Sequence, residues 1–226
     1  MKTRSPDGVV PATLADAHVV RIHDEKDGIM SKRLPDEHEA IEGAGVAAAT
    51  AAGLLSGADV VASAGNYGLA RSLAVLALEE SVKARTLGAI AAATAQGRPP
   101  GFSDDLLRKI VYSGHQERHA AGLVQHVAAE YPDSYAKVML GMSASAAEAA
   151  KIEEVAEILA AANSWKQAGF YSDFDPDSAS WSSPGKVTEP EFKKIRTLAG
   201  GYASETQRQL DDFMRFRTAG QAAPGS

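Results

Sequence analysis

Apolar residues in this chain recur at intervals of three and four over long stretches, and strand-like alternation is nearly absent. That periodicity predicts amphipathic helices. The clearest run lies between Asn66 and Gln96, where Leu69, Leu73, Leu76, Glu80, Lys83, Leu87 and Ile90 fall within a band of roughly 100° on one helix. Five of these are Leu or Ile, so the band is expected to face a core. Glu80 and Lys83 interrupt it, and Glu79 lies just beside it, giving Glu79-Glu80-x-x-Lys83. Charges in a core stripe need partners. Glu80 and Lys83 are therefore expected to be largely buried, paired with the helix that follows or with the 166–173 segment.

The same pattern sets out the remaining elements. Asp36 with Glu39 has capping-box spacing and opens a helix over about 37–64, whose Gly43, Gly45, Ala48, Ala51 and Ala52 permit close backbone approach. Gly65-Asn66 marks a turn, so the first two helices should form an antiparallel hairpin. A third helix is expected from Ser103 to about Tyr131, with an irregularity at Ser113-Gly114, and a short one over 133–141. Ser145 with Glu148 opens a helix to about Gln167, and Thr188 with Glu191 opens the last one. Residues 168–187 read as a loop with Phe170, Tyr171, Phe174 and Trp181 available to pin it. The expected fold is an all-α bundle of about five long helices. It comprises a flexible, partly ordered N-terminal arm (1–35), one helical domain (36–217) and a disordered tail (218–226).

Composition narrows the function classes. The 226 residues are 45% hydrophobic and 23% charged, ordinary for a soluble domain, while aromatics at 6% and abundant Ala favour close-packed helices. A net charge of −6 argues against nucleic-acid binding driven by bulk charge, leaving only a local basic patch. With no Cys, thiol catalysis and cysteine-zinc sites are excluded. The opening residues carry no apolar signal core, and the uncharged run Gly43–Ala58 looks too short and weak to span a bilayer, so no membrane association and a cytoplasmic location are expected.

Candidate chemistry concentrates on the third helix, where Arg108, His115, His119 and His126 fall within roughly 20–40° of one another at helical pitch. Three chemistries can use that flank. A metal could be held by His115 and His119 with an oxygen from Glu80. However, Gln116 stands where a zincin helix has its glutamate, and Lys83 and Arg118 bring positive charge, so no metal or other cofactor is expected. RNA cleavage without a metal needs an acid–base group near neutrality and a cation for the phosphate, which His115 and Arg108 would supply. A structural network would instead join Glu79, Glu80, Lys83, His115 and Arg118 to fix helix register or bind a partner.

From about Glu37 to Glu191 the chain resembles the AbiV family of abortive-infection, phage-defence proteins. The resemblance is carried by an Ala-rich first helix, Ala70-x-x-Leu73-Ala74 running into Glu79-Glu80-x-x-Lys83-Ala84, and His115-x-x-Arg118 where the family commonly has Lys. Lys166-Gln-x-x-Phe170-Tyr171-x-Asp173 and an acidic Ser-Pro segment follow. The resemblance implies a HEPN-like helical domain. Many such domains are dimeric ribonucleases with an Arg four to six residues before a His, which makes Arg108 and His115 the implied catalytic pair, with Glu80 orienting the histidine. It also implies that Lys166, Tyr171 and Asp173 fold back to close a polar pocket beside Glu79, Glu80, Lys83, Arg118 and His119. Two functions remain: an RNA-cleaving homodimeric effector, or a non-enzymatic module that engages a phage or host protein. The position of Arg108 separates them: in the pocket of His115 it favours the first, and pointing to solvent it favours the second.

Overall fold

The computed structural model of the chain describes residues 32–112, 114–172, 174–175, 179–181 and 183–221. The expected arm up to residue 31, Asp173 and the final five residues lie outside them.

Capping explains where the helices begin. Asp36 accepts from the Glu39 N–H while the Glu39 carboxylate accepts from the Asp36 N–H, a reciprocal box that opens α1 (Glu37–Ser63). Gly65, at φ 79°, turns the chain, and Asn66 caps α2 (Tyr67–Ala95) by accepting from the Leu69 N–H. Ser145 caps α6 (Ala146–Phe170), and the Thr188 N–H and hydroxyl both donate to Glu191 at the start of α7 (Glu189–Gln221). The last helix thus runs past residue 217, the expected end of the helical domain. Between α6 and α7 lie a two-residue antiparallel ladder, Phe174–Asp175 with Ser180–Trp181, and a 3-10 turn at Pro184–Lys186. The fold is all-α, with seven α-helices among the described residues.

The expected helix from Ser103 to Tyr131 is two helices, α3 (Asp104–Tyr112) and α4 (His115–Glu130), followed by the short α5 (Pro132–Met139). Gly114 breaks the regular ladder: its N–H bonds back to Lys109 at 2.6 Å, and it enters α4 in extended conformation (φ −76°, ψ 93°). The break frees carbonyls at the end of α3. Arg118 takes them up, donating through Nε to the Ile110 carbonyl at 2.8 Å and through its terminal nitrogen to Val111 at 3.5 Å. A helix that was to align Arg108 with His115 therefore turns between them.

α2 is the axis of the fold, packed by α1, α7, α6, α4 and α3. Its inward faces carry Ala70, Ala74, Val75, Ala77, Leu78, Val82 and Ala84, all at or near zero exposure. The expected stripe is buried at Leu87 and Ile90 but only of intermediate exposure at Leu69, Leu73, Leu76, Glu80 and Lys83. Small side chains let neighbouring helices close on the Ala-bearing faces. The buried acidic residue of α2 is Glu79, one position from the expected Glu80. By length and composition α1 is apolar enough to cross a bilayer, more than the sequence reading allowed. Only 33% of its apolar window is buried, on the face that packs Ala40, Ala44, Ala47, Ala51, Leu55 and Ala58 against the bundle.

Candidate functional site

Glu79 projects from the middle of α2 with 1% of its side chain exposed. Its Oε2 accepts from His115 Nδ1 at 2.5 Å, and its Oε1 accepts from Lys166 Nζ at 2.9 Å. His119 Nε2 stands 3.2 Å from Oε1, at ion-pair distance but out of line for a hydrogen bond. Arg118 lies 4.0 Å from Oε2 and 3.5 Å from Glu80, which in turn holds Lys83 at 3.3 Å. Burial pushes the Glu79 carboxyl up, but His119, Lys166 and His115 more than reverse that and hold it at about 2. Glu79 is thus an ionised carboxylate at any ordinary pH.

Two local features bring these groups together. His115 is the first residue of α4, so the break at Gly114 delivers it to Glu79, with Arg118 and His119 within the first turn and a half. Lys166 arrives because α6 crosses α2 at glycines: a Cβ on Gly169 would sit 1.9 Å from Ser72 Oγ and 2.3 Å from the Gly68 carbonyl oxygen. At that crossing Ser72 donates to the Lys166 carbonyl at 2.8 Å, which fixes the register of α6 against α2.

Geometry sorts the residues picked out from the sequence. Glu79, His115, Arg118, His119 and Lys166 meet at one point, with Glu80 and Lys83 at its rim (side chains 21% and 28% exposed). Glu80 does find its partner on α4, in Arg118, whereas among the described residues Lys83 pairs only with Glu80 on its own helix. Arg108 lies elsewhere in the network. It bonds Asp105 at 3.0 Å and the Lys32 carbonyl at 2.8 Å, sits 3.6 Å from Asp104, and makes no bond to His115 or Glu79 among the described residues. Tyr171 is 60% exposed and touches Phe170 rather than the cluster, so it closes no pocket there. Among the described residues no group of three His, Asp or Glu side chains is disposed to hold a metal ion.

Two further buried charges on α2, Arg71 and Arg85, went unnoticed in the sequence. Arg85, also on α2, lies over the Tyr202 ring at 5.4 Å, and His126 stacks on the same tyrosine at 5.9 Å between ring centroids. His126 is therefore half-buried rather than part of a solvated face, and burial lowers its pKa. The sequence signal for Arg85 was its helical spacing from core positions, three residues after Val82 and seven after Leu78, which a search for one apolar stripe passes over.

The family model of AbiV, a HEPN-type family, matches residues 39–201. The chain belongs to the AbiV family. Abortive infection, a form of phage defence, is the role that membership points to. The match spans α1 through the first half of α7 and takes in every residue of the Glu79 cluster. No curated protein and no solved structure matches the chain.

Proposed function

We propose that this AbiV-family chain is a phage-defence effector that cleaves RNA without a metal, with His115 as the proton-moving group. The observation that carries the reading is the His115–Glu79 pair. A buried, ionised carboxylate accepts from Nδ1, while the ring as a whole is half exposed (51%). With Nδ1–H donated inward, neutral His115 keeps its Nε2 lone pair for an incoming group. In the reaction Nε2 takes the proton of an RNA 2′-hydroxyl, the 2′-oxygen attacks the adjacent phosphorus, and the 5′-oxygen leaves and is protonated. The products are a 2′,3′-cyclic phosphate and a 5′-hydroxyl. Glu79 acts as a positioning residue that stabilises the imidazolium formed, as in other carboxylate–histidine pairs.

Phosphate also needs a cation. Lys166 and Arg118 are buried and already engaged, so the proposal includes a cytoplasmic homodimer in which a second copy adds positive charge at the cleft. The outer face of α1 carries no charge between Glu42 and Asp59, and Val46 and Val60 are exposed at 62% and 67%, which supports such an association. One observation favours the other reading, a non-enzymatic module that binds a phage or host protein: Arg108 is held by Asp104, Asp105 and the Lys32 carbonyl. The test is RNA integrity after expression of wild type, His115→Ala and Arg108→Ala, with fragment ends analysed for cyclic phosphate. Wild type should cut and His115→Ala should not. Intact RNA together with growth arrest that survives His115→Ala would leave the binding module standing.

A further inference from the structure

Beside the Glu79 cluster, α4 and α6 leave an open groove of about 470 Å³. Its floor is apolar, with Leu123 and Leu159 exposed at only 6% and 3%, and no Asp, Glu, Lys or Arg lines it. Polar groups stand on both walls: Gln116 and His119 from α4, Asn163 from α6. Neither amide makes a hydrogen bond among the described residues, and His119, only 6% exposed, turns its Nε2 to Glu79 Oε1 at 3.2 Å, which leaves the two amides as the groove's uncommitted polar groups.

We infer that the α4–α6 groove binds a single unstacked nucleobase of the RNA, the one flanking the bond that His115 attacks. This rests on the ribonuclease reading above and adds where specificity is read. The chemistry of the walls selects the occupant. An uncharged groove with an apolar floor rejects phosphate, carboxylate and metal ions, while a planar base has two apolar faces and an edge of donors and acceptors. The side-chain amides of Gln116 and Asn163 each offer both a donor and an acceptor to such an edge. Position agrees as well: Gln116 follows His115 directly, and His115 and His119 are clamped on the two oxygens of the one Glu79 carboxylate. His115 lies one turn before the groove-lining His119 on the same face of α4, so in this inference a ribose held at His115 Nε2 places its neighbouring base at the mouth of the groove.

The experiment measures binding and cleavage separately on the full chain. Binding uses 2′-O-methyl oligonucleotides, which lack the attacking hydroxyl, with each of the four bases in turn at one position of an otherwise uniform strand. Wild type should prefer one base on the order of tenfold, because a site built to hydrogen-bond an edge rejects edges that leave its groups unpaired. Asn163→Leu should flatten that preference, and Gln116→Leu on the opposite wall serves as the second variant if the first does not fold. Cleavage-site mapping on mixed-sequence RNA should show the same base beside the cut in wild type and no such bias in Asn163→Leu. If wild type cuts and both variants keep its base preference, the groove inference is overturned while the ribonuclease reading stands. If no RNA is cut but base discrimination is present and lost in the variants, the groove stands and catalysis falls. Absence of any base discrimination by wild type overturns the groove outright.

Discussion

α2 buries three charged residues, Arg71, Glu79 and Arg85, and the surroundings of Glu79 and Arg85, opposite in sign, could hardly differ more. Glu79 gathers partners at 2.5, 2.9, 3.2 and 4.0 Å from α4 and α6. Arg85 has a 3.4 Å hydrogen bond to Gln209, a 3.8 Å ion pair with Glu205 and the face of Tyr202. The titration of the two groups follows. Burial disfavours the charged form of both, yet the Glu79 carboxyl ends at about 2, well below its ordinary value, because its partners prevail. At Arg85 burial prevails, and the guanidinium ends below its ordinary value. The difference teaches that burial alone does not distinguish a site from a packing compromise; the number and closeness of compensating groups does. One charge is over-compensated and organises three helices, and the other is barely covered.

The largest expected effect breaks the well-compensated side. Glu79→Leu leaves Lys166, Arg118 and two histidines around an apolar group, and a loss of roughly 3–5 kcal/mol is expected in denaturant unfolding. Adding Lys166→Met should restore part of that loss, since the second substitution removes a cation that the first orphaned. Strict additivity of the two would show that Lys166 and Glu79 do not interact.

Acid should act on the same group. The folded pKa of about 2 lies below the unfolded value of 4.5, so the unfolded chain binds the proton first as pH falls. The contribution is complete above about pH 4.5 and disappears as pH drops toward 2, amounting to roughly 3 kcal/mol across that window. Urea melts at pH 5 and pH 3 measure it, and Glu79→Gln should lack this part of the decline. Equal pH dependence in wild type and Glu79→Gln would mean that the carboxylate is not held as the distances imply.

The under-compensated side predicts a smaller change. Arg85→Met removes a guanidinium with one long hydrogen bond and fills its place with an apolar chain of similar length. The cation–π contact with Tyr202 is lost and the desolvation cost is relieved, so stability should stay within about 1 kcal/mol of wild type. A loss as large as that of Glu79→Leu would erase the contrast.

Much of this was legible in the sequence, for reasons that differ by element. Helix starts were readable because Asp36, Asn66, Ser145 and Thr188 act locally, through bonds to residues three positions on. The charged stretch on α2 was readable as an anomaly, but the stripe pointed to Glu80. A helix packed on nearly every side has no single apolar stripe, and its tightest faces are built of Ala, which a search for large hydrophobics discounts. Arg108 and His115 looked aligned because the break at Gly114 had been allowed only as an irregularity. The reach of Lys166 was legible through the family resemblance alone, since the Gly68–Gly169 crossing that delivers it joins positions far apart in the chain.

The smallest effect belongs at the rim, and it refines the contrast by separating burial from sequence motif. Lys83 completes Glu79-Glu80-x-x-Lys83, so the motif alone ranks it with Glu79. Its ammonium, however, reaches only Glu80 at 3.3 Å, from a side chain 28% exposed against 21% for its partner. A pair on one helix in partial contact with water gains little over its solvated state, and the measured range for such pairs is about 0.3–0.5 kcal/mol. Lys83→Met should therefore cost no more than about 0.5 kcal/mol, and raising salt should shrink even that. The apolar stem of Lys83 already lies along the Leu-bearing side of α2, and Met preserves it. Glu80 keeps Arg118 at 3.5 Å, so no charge is stranded by the change. A loss above about 2 kcal/mol would place Lys83 with the Glu79 group, and would mean that the charges on this side of α2 act as one network rather than as a buried site with a solvated edge.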